Sequence, residues 1–235
     1  MPVALVTGAS RGLGRALSLA LAGRGWQLVI DARGEAALDG VARELESAGA
    51  KTVTAIAGDV SDRAHRADLA AAVVDIGRLD LLVNNASVLG PSPQPALADY
   101  PLDVLVDVYD VNVFAPLGLL QLCLGRLRES SGIVVDVTSD ASVEPYEGWG
   151  GYGSSKAALD QATAILGAEE PSLSVYAFDP GDMRTELHQQ AFPDDDISDR
   201  PEPSTVVPAL LRLIDDRPVS GRYRASDLAL TGGER

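Results

Sequence analysis

The sequence predicts an α/β fold, a doubly wound, about seven-stranded parallel sheet with helices on both faces. Apolar runs of strand length alternate with longer stretches of helical spacing along the 235 residues, the pattern of strand–helix–strand crossovers. The strand runs are nearly continuous in apolar residues, as in Leu79-Asp80-Leu81-Leu82-Val83 and Ile133-Val134-Val135, which suits strands buried on both faces. No internal repeat or low-complexity linker interrupts the chain, and a single core keeps growing up to roughly 250 residues. One domain over residues 1–235 is therefore expected.

Taken in order, strand 3–7 ends in the glycine-rich turn Thr7 to Gly14 and feeds helix 12–24. Strand 27–32 ends around Asp31 and precedes helix 35–48. Strand 52–57 leads through Asp59-Val60 to helix 62–76. Strand 79–84 closes on Asn84-Asn85-Ala86, and a loop with four prolines, Pro91 to Pro101, precedes one long helix, 99–129. Strand 132–138 leads to helix 151–169, and strand 173–178 runs into Pro180-Gly181. Helix 204–216 and strand 221–225 complete the sheet. Right-handed crossovers of this kind place a ligand site beyond the carboxyl ends of the strands. Segment 186–203, with three prolines and Asp194-Asp195-Asp196, is expected to form a lid there.

Charge narrows the partners. With 34 acidic side chains against 19 Lys and Arg, the formal charge is −15, which repels phosphate backbones and anionic membrane surfaces. Neither nucleic acid nor membrane is an expected partner, and any anionic ligand needs a local cluster of positive groups. The lone cysteine, Cys123, sits among leucines and reads as a buried thiol. The two histidines, His65 and His188, read as surface or loop residues, and no metal site is expected. The start of the chain shows no basic, long-apolar leader, so a cytoplasmic protein is expected.

Two motifs carry chemistry. Gly8, Gly12 and Gly14 stand between the first strand and the first helix, where the backbone must turn sharply and approach a phosphate at a helix N-terminus. In that setting the triplet indicates dinucleotide binding. Gly8-Ala9-Ser10-Arg11-Gly12 also fits the nucleophile elbow of α/β-hydrolases. Such an elbow follows several strands and needs an oxyanion loop upstream, whereas one strand precedes Ser10. The second motif is Tyr152-Gly153-Ser154-Ser155-Lys156. A spacing of four puts phenol and ammonium on one helical face, and a nearby cation favours the phenolate. Such a tyrosine can exchange a proton with an alcohol or carbonyl oxygen.

These residues resemble the short-chain dehydrogenase/reductase family in its compact, single-domain Rossmann form, over essentially the whole chain. Asn84-Asn85-Ala86, Asp59-Val60, Ser139 thirteen residues before Tyr152, Asn112, and Pro180-Gly181 with Thr185 match further family positions. Ser87 departs, since the family usually has glycine there. The resemblance implies an oxidoreductase that interconverts a ketone or aldehyde and an alcohol using NADP(H), with Asn112, Ser139, Tyr152 and Lys156 as the catalytic set. Tyr152 would transfer the proton and Ser139 would bind the reacting oxygen. Lys156 would tune Tyr152 and bind ribose, and Asn112 would hold a water linking Lys156 to solvent. Cofactor contacts are expected from Gly8, Ser10, Arg11, Gly12, Leu13, Gly14, Arg33, Asp59, Val60, Asn85, Ala86, Ser87, Tyr152, Lys156, Pro180, Gly181, Met183 and Thr185. The rival reading is a cofactor-binding regulator or scaffold, for which an intact set of four would be needless.

NADPH is expected over NADH. The discriminating position falls on Ala32, while Asp31 is one residue early and should point away from the ribose. Arg33 and Arg11 would then flank a 2′-phosphate. The substrate is expected between loop 140–151, offering Tyr146 and Trp149, and the lid, offering Leu187 and Phe192. A neutral, partly apolar ketone fits that setting. By resemblance a homodimer or homotetramer is expected, formed by surplus apolar residues on helices 99–129 and 151–169.

Overall fold

The computed structural model describes residues 1–230; residues 231–235 of the expected domain lie outside the described residues. Strands β1 (Val3–Val6), β2 (Gln27–Ala32), β3 (Thr52–Ala57), β4 (Leu81–Asn84), β5 (Ile133–Val137), β6 (Ser174–Asp179) and β7 (Gly221–Arg224) alternate with nine helices among the described residues. These are α1 (Gly12–Gly23), α2 (Glu35–Ala48), α3 (Arg63–Ile76), α4 (Leu102–Tyr109), α5 (Ala115–Ser130), α6 (Gly150–Glu169), α7 (Glu186–Ala191), α8 (Val207–Asp216) and α9 (Ala225–Leu230). All seven strands pair in parallel in the order β3-β2-β1-β4-β5-β6-β7. This is the Rossmann-like sheet that the alternating pattern predicts.

Side chains alternate across each strand, and the two halves of the core follow that period. Ala4 and Val6, Leu28 and Ile30, Leu81 and Val83, and Ile133 and Val135 meet Leu13, Leu17 and Leu21 of α1, Leu38 and Leu45 of α2, and Leu210 and Leu213 of α8. Val3, Leu5, Val29, Leu82 and Val134 face the other way onto Leu69 and Val73 of α3 and Leu119, Leu120, Cys123 and Leu127 of α5. Cys123 is buried there, and burial pushes its thiol up to about 12. Because β1 pairs with both β2 and β4, the strand order reverses at β1. That leaves a crevice beyond its carboxyl end.

The expected helix 99–129 is broken. Between α4 and α5 the residues Asp110–Phe114 form a π-turn, in which the Ala115 N–H reaches back five residues to the Asp110 carbonyl. Pro116 explains the break, because it has no N–H for the carbonyl of Asn112 four residues earlier and its ring crowds that carbonyl. Segment 186–203, expected as a lid, begins with α7, capped by the Thr185 hydroxyl, which accepts the His188 N–H at 3.2 Å. Neither histidine is a surface residue as expected. His65 on α3 and His188 on α7 are both buried, and among the described residues no cluster of metal-ligating side chains forms.

Candidate active site

The glycine turn is built by absence of side chains. Gly8 and Gly12 hold φ of +65° and +57°, conformations that glycine alone adopts freely. A Cβ on Gly14 would stand 2.6 Å from both Asn85 Nδ2 and the Gly8 carbonyl oxygen. Gly14 therefore stands behind the cleft rather than lining it as expected, and lets the loop close on β4. Thr7 Oγ1 fastens that closure by accepting the N–H groups of Asn85 and Ala86 at 2.9 and 3.0 Å. No side chain caps the N-terminus of α1, so its first-turn N–H groups suit an anion.

Asp31 is fully buried and committed. Oδ1 accepts the Gly8 N–H at 2.8 Å and Oδ2 lies 3.0 Å from His65 Nε2. The carboxylate that could have reached a ribose supports the turn instead. Arg33, after β2, is exposed and lines the cleft. Arg11 lines the same cleft as expected by position, with its guanidinium in an exposed ion pair with Glu186 at the start of α7. Asp59 sits nearby; burial raises its carboxyl, but hydrogen bonds from the Ser61 N–H and hydroxyl and the charge of Arg33 outweigh that and lower it.

The turn opens onto a cleft of about 1570 Å³. Gly8, Ser10, Arg11, Gly12 and Leu13 line one end with Arg33, Asp59 and Val60. Asn85, Ala86 and Ser87 form its floor after β4, and Pro180, Gly181, Met183 and Thr185 line it after β6. Ser139, Tyr152, Lys156, Trp149 and Leu187 line the same cleft. A long groove with a backbone-lined turn at one end and a proton-bearing pair in its wall fits a dinucleotide.

Tyr152 and Lys156 lie on the first turns of α6. Both are buried, and the Lys156 ammonium lies 5.6 Å from the centre of the Tyr152 ring. Lys156 Nζ donates to the Val137 carbonyl at 2.7 Å. Burial lowers its ammonium to about 8, while Asp136 and Asp160 pull it back up. Burial raises the Tyr152 phenol strongly, and hydrogen bonds with the Ser87 and Ser139 hydroxyls oppose that rise. Ser139 Oγ donates to Asp140 Oδ1 at 2.9 Å and accepts the Ala141 N–H at 3.2 Å. Asn112, in the π-turn, is fully buried behind the cleft. Its Oδ1 accepts from the Ser87 hydroxyl (3.0 Å) and the Val88 N–H (2.9 Å); its Nδ2 donates to the Val88 carbonyl (2.9 Å) and Ser155 Oγ (3.0 Å). That amide is saturated, so its side chain does not hold the expected water. It ties the β4 loop to α6 instead.

Two expected substrate residues stand back from the cleft. Tyr146 donates its hydroxyl to Asp140 Oδ2 at 2.9 Å and braces Trp149 at 6.2 Å between ring centres. Phe192 lies 5.9 Å from the Trp149 ring and 5.0 Å from that of His188. Trp149 itself lies edge-on to Tyr152 at 5.8 Å. Asp194, Asp195 and Asp196 are exposed and outside the lining. Sequence reasoning missed Leu89, His188 and Ala191, which join this wall. Residue type carries no signal for them, although Pro116 inside an apolar helix could have signalled the π-turn.

Known proteins place the chain. A family profile described as short chain dehydrogenase matches residues 2–196. Mouse sepiapterin reductase is 34% identical over 202 residues, covering 80% of this chain and 77% of its own. An (S)-benzoin-forming benzil reductase of Saccharomyces cerevisiae is 36% identical over 199 residues, covering 80% and 73%. A short chain dehydrogenase of Shigella flexneri solved in complex with NADP superposes with a TM-score of 0.88 at 28% identity, covering 96% of this chain and 97% of that one. The fold and site define a Rossmann-type oxidoreductase. The chain belongs to the short-chain dehydrogenase/reductase family.

Proposed function

We propose that this protein reduces a neutral, ring-bearing ketone or aldehyde with NADPH, reversibly. The observation that carries the reading is Tyr152 and Lys156 on one face of α6, beside Ser139, in the wall of the cleft that the glycine turn opens. Bound NADPH would supply the hydride. Negative charge then builds on the substrate oxygen and must be met by a proton and by hydrogen bonds. The Tyr152 phenol, kept neutral by burial, gives that proton, and Ser139 turns its hydroxyl from Asp140 to the oxygen. Lys156 supplies the cation that favours the phenolate left behind, and Asn112 keeps the β4 loop and α6 in register.

The preference for NADPH rests on Arg33 in the cleft and on Asp31, whose carboxylate already holds Gly8 and His65. Arg11 joins Arg33 when a 2′-phosphate displaces Glu186, since exposed ion pairs are worth only about 0–1 kcal/mol. Trp149, Leu187 and Leu89 give the substrate end an apolar wall, and segment 186–203, with α7 at its head, acts as the lid. The ring-bearing substrates named in sepiapterin reductase and benzil reductase support this substrate class. A single domain acting as a homo-oligomer is part of the proposal. The test is NADPH oxidation by the purified protein with benzil, a pterin ketone and simple aryl aldehydes. Turnover of at least one, faster with NADPH than with NADH, is expected. No turnover of any would overturn the reductase reading.

A further inference from the structure

Strand β7 (Gly221–Arg224) lies beyond the 2–196 span that the family profile matches, yet its Arg222 reaches three segments of the cleft. Nη2 donates to the Ser139 carbonyl at 3.0 Å and to Asp179 Oδ2 at 2.9 Å, and Nε donates to Asp160 Oδ2 at 3.1 Å. Asp160 stands one helical turn beyond Lys156 on α6, and its Oδ2 also accepts the Ser142 hydroxyl at 2.6 Å. Asp179 ends β6, and its Oδ1 accepts the Gly181 N–H at 3.0 Å, shaping the Pro180-Gly181 turn. One guanidinium thus joins the backbone of Ser139, the helix of Tyr152 and Lys156, and the turn that lines the cleft after β6.

The burial of the two carboxylates gives that cation its weight. The Asp179 side chain is 4% exposed and that of Asp160 is 15% exposed. Arg224 adds only a looser contact to Asp179, at 3.6 Å. With Arg222 removed, two shielded carboxylates would lose their shared counter-charge, and each would relax toward water or toward another donor. Lysine keeps the charge but not the planar fork that meets three acceptors at once.

We infer that Arg222 is a positioning residue that holds Ser139, the Tyr152/Lys156 helix and the Pro180-Gly181 turn in one register without itself touching cofactor or substrate. The inference rests on the reductase reading for its turnover arm only. The test compares the wild-type protein with R222M and R222K by titration with NADPH and with 2′,5′-ADP, which carries only the adenosine end. R222M is expected to weaken NADPH by roughly tenfold or more, because small displacements at a reacting centre are costly, and to leave 2′,5′-ADP within about twofold. Its kcat should fall more than its KM rises. R222K should lose less NADPH affinity, again without loss toward 2′,5′-ADP, and it carries the test if R222M fails to fold. Equal weakening of both ligands, or NADPH binding unchanged in both variants, would overturn the inference. Wild-type protein that binds both nucleotides but reduces no carbonyl compound overturns the reductase reading and leaves this one to the binding pair. Protein that binds neither overturns both.

Discussion

In the proposed reduction Tyr152 and Lys156 divide their work by charge. The buried phenol is neutral at working pH, so it can give a proton; the ammonium beside it is weakened by the same burial, to about 8. Tyr152→Phe should lower kcat by roughly 10²–10⁴-fold, the usual contribution of a positioned proton donor, with NADPH affinity unchanged by fluorescence titration. An undiminished rate would refute the assignment. The sign of the pH effect follows from Lys156. Its proton leaves below its ordinary value, so the cation is present below about pH 8 and lost above it. kcat/KM for reduction should be level below that pH and decline above it, and Lys156→Arg should move the decline upward, because arginine stays charged. A profile that turns at the same pH in both proteins would point to another group. At the other end of the cleft, Arg33→Ala should cost kcat/KM with NADPH far more than with NADH. Equal losses would mean that Arg33 does not meet a 2′-phosphate.

At the scale of elements, the glycine turn and the π-turn show two kinds of legibility. The turn was readable because its demand is local: positive φ at Gly8 and Gly12 and a missing Cβ at Gly14 are written into adjacent residues. The strands were readable for the same reason, through period and apolar run. Asn112 was recognisable as a position but not as a joint, because its four partners come from Ser87, Val88 and Ser155, far away in sequence. Asp31 with His65, Arg11 with Glu186 and Arg222 with Ser139 were hidden likewise, since partners 34, 175 and 83 residues apart leave no periodic trace. The two turns differ in how they should fail. Gly14→Ala must push against backbone at Gly8, a clash that typically costs about 1–3 kcal/mol, and should weaken NADPH. Asn112→Ala strips the half-buried Val88 N–H and carbonyl of their partner, while Ser155 keeps the Tyr152 carbonyl, at about 1–3 kcal/mol for each group left unsatisfied. Its thermal midpoint should drop more than that of Gly14→Ala. The reverse order would mean that the Asn112 amide contributes little to joining the β4 loop to α6.

For the whole molecule, the apolar surface left over after the core is built is the informative quantity. The stretch Leu102–Ser130 is apolar and long enough, by composition, to cross a membrane, yet one side of it packs in the core through Leu119, Leu120, Cys123 and Leu127. The other side keeps Phe114 at 53%, Leu117 at 41% and Leu122 at 49% exposure, and α6 adds Ile165 at 47%. Isolated exposed leucines are ordinary, but an apolar stripe on neighbouring helices marks an association surface. At a charge of −15 two copies repel at long range, so the proposed contact between them would rest on apolar faces and not on general charge attraction. A two-fold axis would set each stripe against its own copy, and a stable contact of this type buries about 800 Å² per partner. Leu117→Glu with Leu122→Glu would place two carboxylates in each half of that contact while leaving the core side of α5 untouched. Light scattering at micromolar concentration should give a dimer or tetramer for the wild-type protein and a monomer for the double variant, with the variant still binding NADPH. A wild-type monomer would leave these residues as plain surface and remove the homo-oligomer from the proposal.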